Sequence, residues 1–263
     1  MSTIAKIGFI GFGKMAEAIA SGFINSGRLD KSVISFTEKH SERAATISST
    51  LGFKSMELKE LVQENDLVFI AIKPQQLNDL LPQLKEGPIY VSILAGAPIS
   101  AFEKGLPNTA IVRVMPNTPA LVSKGMFAVS ANKIVSKDDY DYLQNLLSSL
   151  GEVVVVDEEK MDAVTGISGS GPAFVYSLAN AFIQKATQHG FDEKTARLLA
   201  AQTFAGASDM ILKSSKPVTE LISDVRSPNG TTDAGLKVLE TSTIQAILND
   251  AIEASISRSK ELS

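Results

Sequence analysis

Nearly continuous apolar runs recur through the first half of the chain, at Ile4–Ile10, Val33–Phe36, Leu67–Ile72, Ile89–Leu94 and Ala110–Val114. A strand with one wet face alternates apolar and polar residues, so unbroken runs of this length belong to strands covered on both faces. Helix-like stretches separate them. The pattern is that of repeated βαβ units in a doubly wound, mainly parallel sheet. A further pair of runs, Phe127–Val129 and Val153–Val156, flanks "SKDDYDYLQNLLSSLG", a helix that Ser136 is placed to cap and Gly151 to terminate. This pair is expected to extend the same sheet.

From about residue 158 the strand signal stops. "PAFVYSLANAFIQKA" is apolar almost all round, which predicts a helix buried on every side, at the centre of a domain or between subunits. The last helix sets Ile244, Ile247, Leu248, Ala251, Ile252 and Ile256 three or four residues apart, on one stripe. A helical region of roughly a hundred residues is small for so much buried helix, which favours burial against a partner.

Composition narrows the function. With 44% hydrophobic and 21% charged residues among 263, the chain has enough apolar surface to fold. The net charge of −4, without a basic run, argues against nucleic acid and against an acidic membrane surface. Cysteine is absent, which removes disulfides, thiolate catalysis and cysteine-based zinc sites. The two histidines, His40 and His189, lie far apart in sequence and read as surface residues, so no metal is expected. No run is long enough to span a membrane, and "MSTIAKIGFIGFG" lacks the pattern of a secretion signal, so the expected location is the cytoplasm.

The first run leads into a G-x-G-x-x-A arrangement at Gly11, Gly13 and Ala16, followed directly by a helix. Gly11 permits the tight turn, Gly13 lets backbone N–H groups approach a pyrophosphate, and Ala16 lets helix and strand pack closely. The fold class is thus an α/β N-terminal Rossmann domain plus an all-α C-terminal domain. Residues 1–160 would bind a dinucleotide and residues 161–263 would form the helical part. After the second strand, Glu38 suits a ribose 2′-hydroxyl and Lys39 a 2′-phosphate, so the two argue in opposite directions. Glu38 also reads as an exposed charge near the cap of the next helix. "AIKPQ", "SILAG" and "RVMPNTPA" follow later strands and point Ala71–Pro74, Ala95, Gly96 and Asn117 toward the same edge, where open α/β sheets bind ligands. Pro74 equally suits the first position of a helix, with Lys73 solvated.

"AIKPQ", "RVMPNTP", "DAVTGISGSGPAFVY" and "SPNGTTDAGLKVLE", in this order behind the glycine turn, resemble the Δ1-pyrroline-5-carboxylate reductase family, from Ile7 to about Leu262. The resemblance implies reduction of a cyclic imine to L-proline with NADPH or NADH, NADPH ahead. It also implies a homodimer joined through the helical domain, with dimers assembling into a homodecamer in some members. Carried over by position, it assigns Ile10, Gly11, Phe12, Gly13, Lys14, Met15, Ala71, Ile72, Lys73 and Pro74 to the cofactor, with Ala95 and Gly96 on the nicotinamide side. Glu158, Asp224, Ser227, Gly230, Thr231 and Thr232 fall around the pyrroline carboxylate, Thr232 as the group on the ring nitrogen and Glu158 assisting. In "SGSGP", Ser170 reads as a helix cap and Pro172 as the first helical residue.

Two residues depart from the family pattern. Asn229 stands where a glycine is usual, but Asn tolerates positive φ, so the turn is expected to survive. Leu58 stands where relatives often carry an Asn that touches the adenosine ribose. A β-hydroxyacid-type dehydrogenase would share the N-terminal half. It would also need a Lys, followed three residues later by Asn, on the first long helix of the second domain, where this chain has Lys185 and Gln188. A dinucleotide-sensing protein would have no use for the hydroxyl-rich "SPNGTTD" loop, and the intact G-x-G-x-x-A argues against a purely structural dimer module.

Overall fold

The computed structural model describes residues 4–262. Eight strands, β1 (Ile7–Ile10), β2 (Ile34–Thr37), β3 (Lys54–Ser55), β4 (Leu67–Ile70), β5 (Ile89–Ser92), β6 (Ile111–Met115), β7 (Gly125–Ala131) and β8 (Gly151–Val155), form one sheet. Their order is β3-β2-β1-β4-β5-β6-β7-β8. All neighbours are parallel except β6 and β7, so the two late strands extend the sheet as their apolar runs predict. The strand order reverses between β1 and β4, and that switch point is where an open α/β sheet leaves a crevice.

The helices between the strands are α1 (Lys14–Asn25), α2 (Ser41–Leu51), α3 (Leu58–Glu64), α4 (Leu77–Leu80), α5 (Ile99–Glu103) and α6 (Lys137–Leu147). They cover both faces. In β4, Leu67 and Phe69 enter one apolar core with Phe9, Phe23, Phe36 and Leu146, while Val68 and Ile70 enter the other with Leu61, Tyr90 and Phe102. This two-sided burial is why the strands read as unbroken apolar runs. Phe9 and Phe69 stack at 4.8 Å across β1 and β4, fixing the centre of the sheet. Ser136 caps α6 as expected, its hydroxyl accepting from the Asp139 N–H.

Strand β1 begins at Ile7 rather than Ile4, because the N–H groups of Ala5 and Lys6 donate to Asp66 Oδ2 at 2.8 and 2.9 Å instead of joining the ladder. The two-residue strand β3 is exposed and carries no apolar signal, so the sequence pattern misses it.

After β8 come α7 (Met161–Val164) and a π turn at Thr165–Gly169. Four long or medium helices and one short helix follow: α8 (Gly171–Gln188), α9 (Glu193–Lys213), α10 (Val218–Asp224), α11 (Thr231–Thr241) and α12 (Ile244–Glu261). Ser170 is not a helix cap. Its backbone is helical and its N–H donates to Thr165 O at 2.9 Å, so the chain runs through the π turn into α8 without a break. The chain divides into two compact units: one ends at Ser170 and takes in the residues from Ala254 onward, the other runs from Gly171 to Glu253. The division lies beyond the expected 160/161 boundary.

Within the second unit, Phe182 of α8 meets Phe204 of α9 edge-on at 5.3 Å. No residue of α8 is fully buried in the single chain, although its sequence is apolar all round. Val175, Tyr176 and Phe182 are exposed, as are Leu198, Met210 and Ile211 of α9. The helix is therefore not at the centre of a domain within one chain.

Candidate active site

The first site is built where β1 ends. Gly11 has φ +80°, and a Cβ there would lie 2.9 Å from Ala71 O, so this turn takes only glycine without strain. The Gly11 N–H donates to Thr37 O at 3.0 Å and the Ala71 N–H to Ile10 O at 2.9 Å, tying the ends of β2, β1 and β4 together. Gly13, the residue before α1, leaves open space where a Cβ would stand, and no side chain caps the helix. Ala16 is fully buried beneath it. The first-turn N–H groups of a 12-residue helix therefore face a gap with room for an anion.

That gap belongs to a cleft of about 480 Å³. Ile10, Gly11, Phe12, Gly13, Glu38, Lys39, Ala71, Ile72 and Lys73 line it, together with Leu58, the residue that departs from the family pattern. Phe12 offers only its backbone, since its ring is 1% exposed and packs against Phe9, Phe36 and Phe53. Thr37, Arg43 and Gln76 also line the cleft, although no motif in the sequence singles them out. Arg43 is the most informative of these: Nη2 donates to Phe12 O at 2.8 Å, and Nε lies 3.5 Å from Glu38 Oε2.

Other expected cofactor residues do not line this cleft. Lys14 and Met15 lie in the first turn of α1, Met15 packed against the core. Pro74 opens a 3₁₀ turn, with the Gln76 side chain accepting from the Lys73 N–H at 3.1 Å. Asn117 is committed to the fold: its Nδ2 donates to Ser168 O and Oγ at 3.2 and 3.3 Å, and its Oδ1 accepts from the Met126 N–H at 2.9 Å. Ala95 lines a separate hollow of about 330 Å³ with Thr165, Ser170, Arg258 and Leu262. Gly96, at φ +70°, is pressed against Leu262, whose Cβ lies 2.7 Å from where a Gly96 Cβ would stand.

Glu158 is held by the fold. Its Oε1 accepts from the Ile99 N–H at 2.6 Å and from Arg113 Nη1 at 3.3 Å. Arg113 is buried in β6, and its Nη2 lies 4.0 Å from Asp162, which in turn accepts from the Ser259 hydroxyl at 2.7 Å. A buried guanidinium thus links the start of α5, where the loop carrying Ala95 and Gly96 ends, to the last turns of α12. No local pattern announces this group, because its members are scattered from residue 99 to residue 259.

In the second unit, the loop before α11 forms a tight turn in which the Gly230 N–H donates to Ser227 O at 2.9 Å. Pro228 precedes Asn229, which has φ +58°, so Asn takes the left-handed position usually given to glycine. Gly230 stands before Thr231 without a side-chain cap, leaving the first N–H groups of α11 available. Asp233, one turn in, would repel an anion there, but its charge is matched. Arg226 Nε donates to its Oδ1 and Lys237 Nζ lies at its Oδ2, both at 2.8 Å, holding its pKa down at about 2. Arg226 also grips Glu240 with both terminal nitrogens, at 2.6 and 3.3 Å. Asp224 pairs with Lys216 at 2.7 Å.

Both halves of the chain match known families. A model described as pyrroline-5-carboxylate reductase dimerisation matches residues 158–262, and one described as NADP oxidoreductase, coenzyme F420-dependent, matches residues 6–96. The pyrroline-5-carboxylate reductase of Synechocystis is 37% identical over 98% of both chains. That of Methanosarcina acetivorans is 38% identical over 98% of this chain and 97% of its own. The crystal structure of the Plasmodium falciparum pyrroline carboxylate reductase, solved with NADP bound, superposes with a TM-score of 0.90 at 31% identity, covering 100% of this chain and 99% of that one. Relatedness of this degree over the full length establishes that the chain belongs to the pyrroline-5-carboxylate reductase family.

Proposed function

We propose that the protein reduces L-1-pyrroline-5-carboxylate, a cyclic imine, to L-proline with hydride from NADPH or NADH, the last step of proline biosynthesis. The observation that carries the substrate half is the opening of α11. A turn held by Asn229 and Gly230 presents uncapped N–H groups, and the one carboxylate in that helical turn is already neutralised by Arg226 and Lys237. These N–H groups bind the substrate carboxylate, aided by the helix dipole. Ser227 and Thr231 flank the same turn, and Asp224 ends the helix that leads into it.

In the first unit, the residues from Ile10 to Gly13 and the first turn of α1 hold the pyrophosphate, with Ala71 to Lys73 along the opposite wall. The open position at Gly13 and the strained turn at Gly11 fit a dinucleotide. Bound there, the dinucleotide supplies a hydride. A protonated imine needs no strong base, because its positive charge is neutralised as the new C–H bond forms and the C=N π electrons move to nitrogen. The protein has to orient the ring and keep the nitrogen protonated. We assign the hydrogen bond to the nitrogen to the Thr232 hydroxyl. Glu158 acts as a positioning residue, since it is tied to Ile99 and Arg113.

The exposed apolar side chains of α8 and α9 support a homodimer in which these helices are covered by a second copy. A homodecamer of such dimers would give a molar mass ten times that of the chain, read by light scattering. No described helix is long and apolar enough to cross a membrane, and we place the enzyme in the cytoplasm.

The test is oxidation of NADPH and of NADH, separately, with and without pyrroline-5-carboxylate. The expected result is substrate-dependent oxidation, reduced at least about tenfold in kcat by Thr232→Ala. No substrate-dependent oxidation with either dinucleotide would favour a binding protein without turnover, and unchanged kcat in Thr232→Ala would remove Thr232 from the mechanism.

A further inference from the structure

We propose that Glu38 selects the dinucleotide at its ribose 2′ position and that the protein prefers NADH to NADPH; this rests on reading the cleft at the end of β1 as the dinucleotide site. Glu38 is the first residue after β2, and the end of that strand is stitched to the glycine turn by the Gly11 N–H to Thr37 O bond at 3.0 Å. Its side chain is only 13% exposed, and it forms part of the cleft wall. Both of its contacts are long: Arg43 Nε at 3.5 Å on one oxygen and the His40 N–H at 3.4 Å on the other. The carboxylate therefore keeps capacity to accept a hydrogen bond from a hydroxyl group on the ribose.

A 2′-phosphate would bring a doubly charged group against that carboxylate and would need cations of its own. Arg43 is the best placed, but it is already in use, donating to Phe12 O at 2.8 Å and facing Glu38. Lys39 is exposed, so its charge is hydrated and screened and offsets Glu38 only weakly. Burial of the carboxylate and engagement of the arginine both favour the free hydroxyl of NADH. This reverses the order in which the sequence alone placed the two cofactors. Charge at position 38 is the switch: without it, Arg43 is released toward the 2′-phosphate.

The experiment measures the Kd of NADH and of NADPH by the fluorescence of the reduced nicotinamide, on the full-length protein with no pyrroline substrate present. Wild-type protein is expected to bind NADH at least about tenfold more tightly than NADPH. In Glu38→Gln the ratio of the two Kd values should shift toward NADPH by about tenfold or more, and the further change Arg43→Gln should take that gain away. Equal or tighter binding of NADPH by wild-type protein overturns the proposal, and this comparison needs no variant to fold. An unchanged ratio in a folded Glu38→Gln variant overturns it too. Failure of wild-type protein to bind either dinucleotide would overturn the cofactor cleft together with this inference. Discriminating binding without pyrroline-dependent oxidation would support this inference and remove the reductase reading instead.

Discussion

The turn from Gly11 to Ala16 and the turn from Ser227 to Thr232 each lead into a helix whose first N–H groups lack a side-chain cap, yet they are held in different ways. The first is fixed by buried apolar packing and backbone geometry: Phe12, Ala16 and Ile19 are at most 1% exposed, and the strand ends beneath are joined by backbone hydrogen bonds. The second sits in a unit with few buried residues and is fixed by charge, through Arg226, Asp233, Lys237 and Glu240. Packing fixes position without regard to salt or pH, whereas exposed ion pairs are sensitive to both. The first opening is thus completed by the core of the chain, while the second relies on polar braces.

The largest effect should come from breaking the packed opening. Gly11→Val puts a β-branched side chain at φ +80° with its Cβ 2.9 Å from Ala71 O. Backbone strain and the clash together are worth about 3 kcal/mol or more, so dinucleotide affinity should fall on the order of 100-fold. Fluorescence titration reads the loss, and a preserved circular dichroism spectrum shows that the sheet still forms. Binding within a factor of about three of wild type would mean that the turn is not the pyrophosphate site.

Arg226→Met tests the charged opening, with a smaller expected effect. The KM for pyrroline-5-carboxylate should rise about three- to tenfold, with dinucleotide binding unchanged, because only the brace on α11 is lost. The same brace predicts a pH signature. Asp233 has its pKa lowered from 3.8 to about 2 by bonds from Lys237 and Arg226, so its contribution to stability is fully present above pH 3.8 and is lost as pH falls toward 2. Urea unfolding midpoints followed through that range should drop more steeply for wild type than for Asp233→Asn. Parallel curves would show that the pairs do not stabilise the folded state.

The two openings also differed in how far they were legible in the sequence. The first follows from local spacing, because glycines, strand and helix are contiguous, and two-sided burial writes each central strand as an apolar run. The pattern fails where a single hydrogen bond outside the regular ladder or helix decides the outcome. Asp66 takes the N–H groups of Ala5 and Lys6 and delays β1, and the bond from Ser170 to Thr165 keeps the chain helical where a cap was expected. Asn117 is singled out by its motif and Glu158 by the family resemblance alone, and only the structure shows their polar atoms engaged by Ser168, Met126, Ile99 and Arg113. In the second opening the turn was legible from Pro228, Asn229 and Gly230. Of its braces, only Asp233 with Lys237, four residues apart on one helix, carries a local signal. Arg226 reaches Glu240 because the turn folds back, which no periodicity records.

Asn229 gives the finest comparison, since both openings depend on one residue at positive φ: Gly11 at +80° and Asn229 at +58°. At Gly11 a neighbouring carbonyl forbids any side chain, so glycine is required on steric grounds. At Asn229 the conformation alone is demanding, and left-handed backbone costs an ordinary L-residue about 1–2 kcal/mol, less for Asn. Asn229→Gly should therefore leave the KM for pyrroline-5-carboxylate and the unfolding midpoint nearly unchanged. Asn229→Ala should cost about 1 kcal/mol in urea unfolding and raise KM about two- to fivefold. Equal behaviour of Ala and Gly would mean that the turn relaxes out of the left-handed region, and that the N–H groups of α11 are not held in place by it.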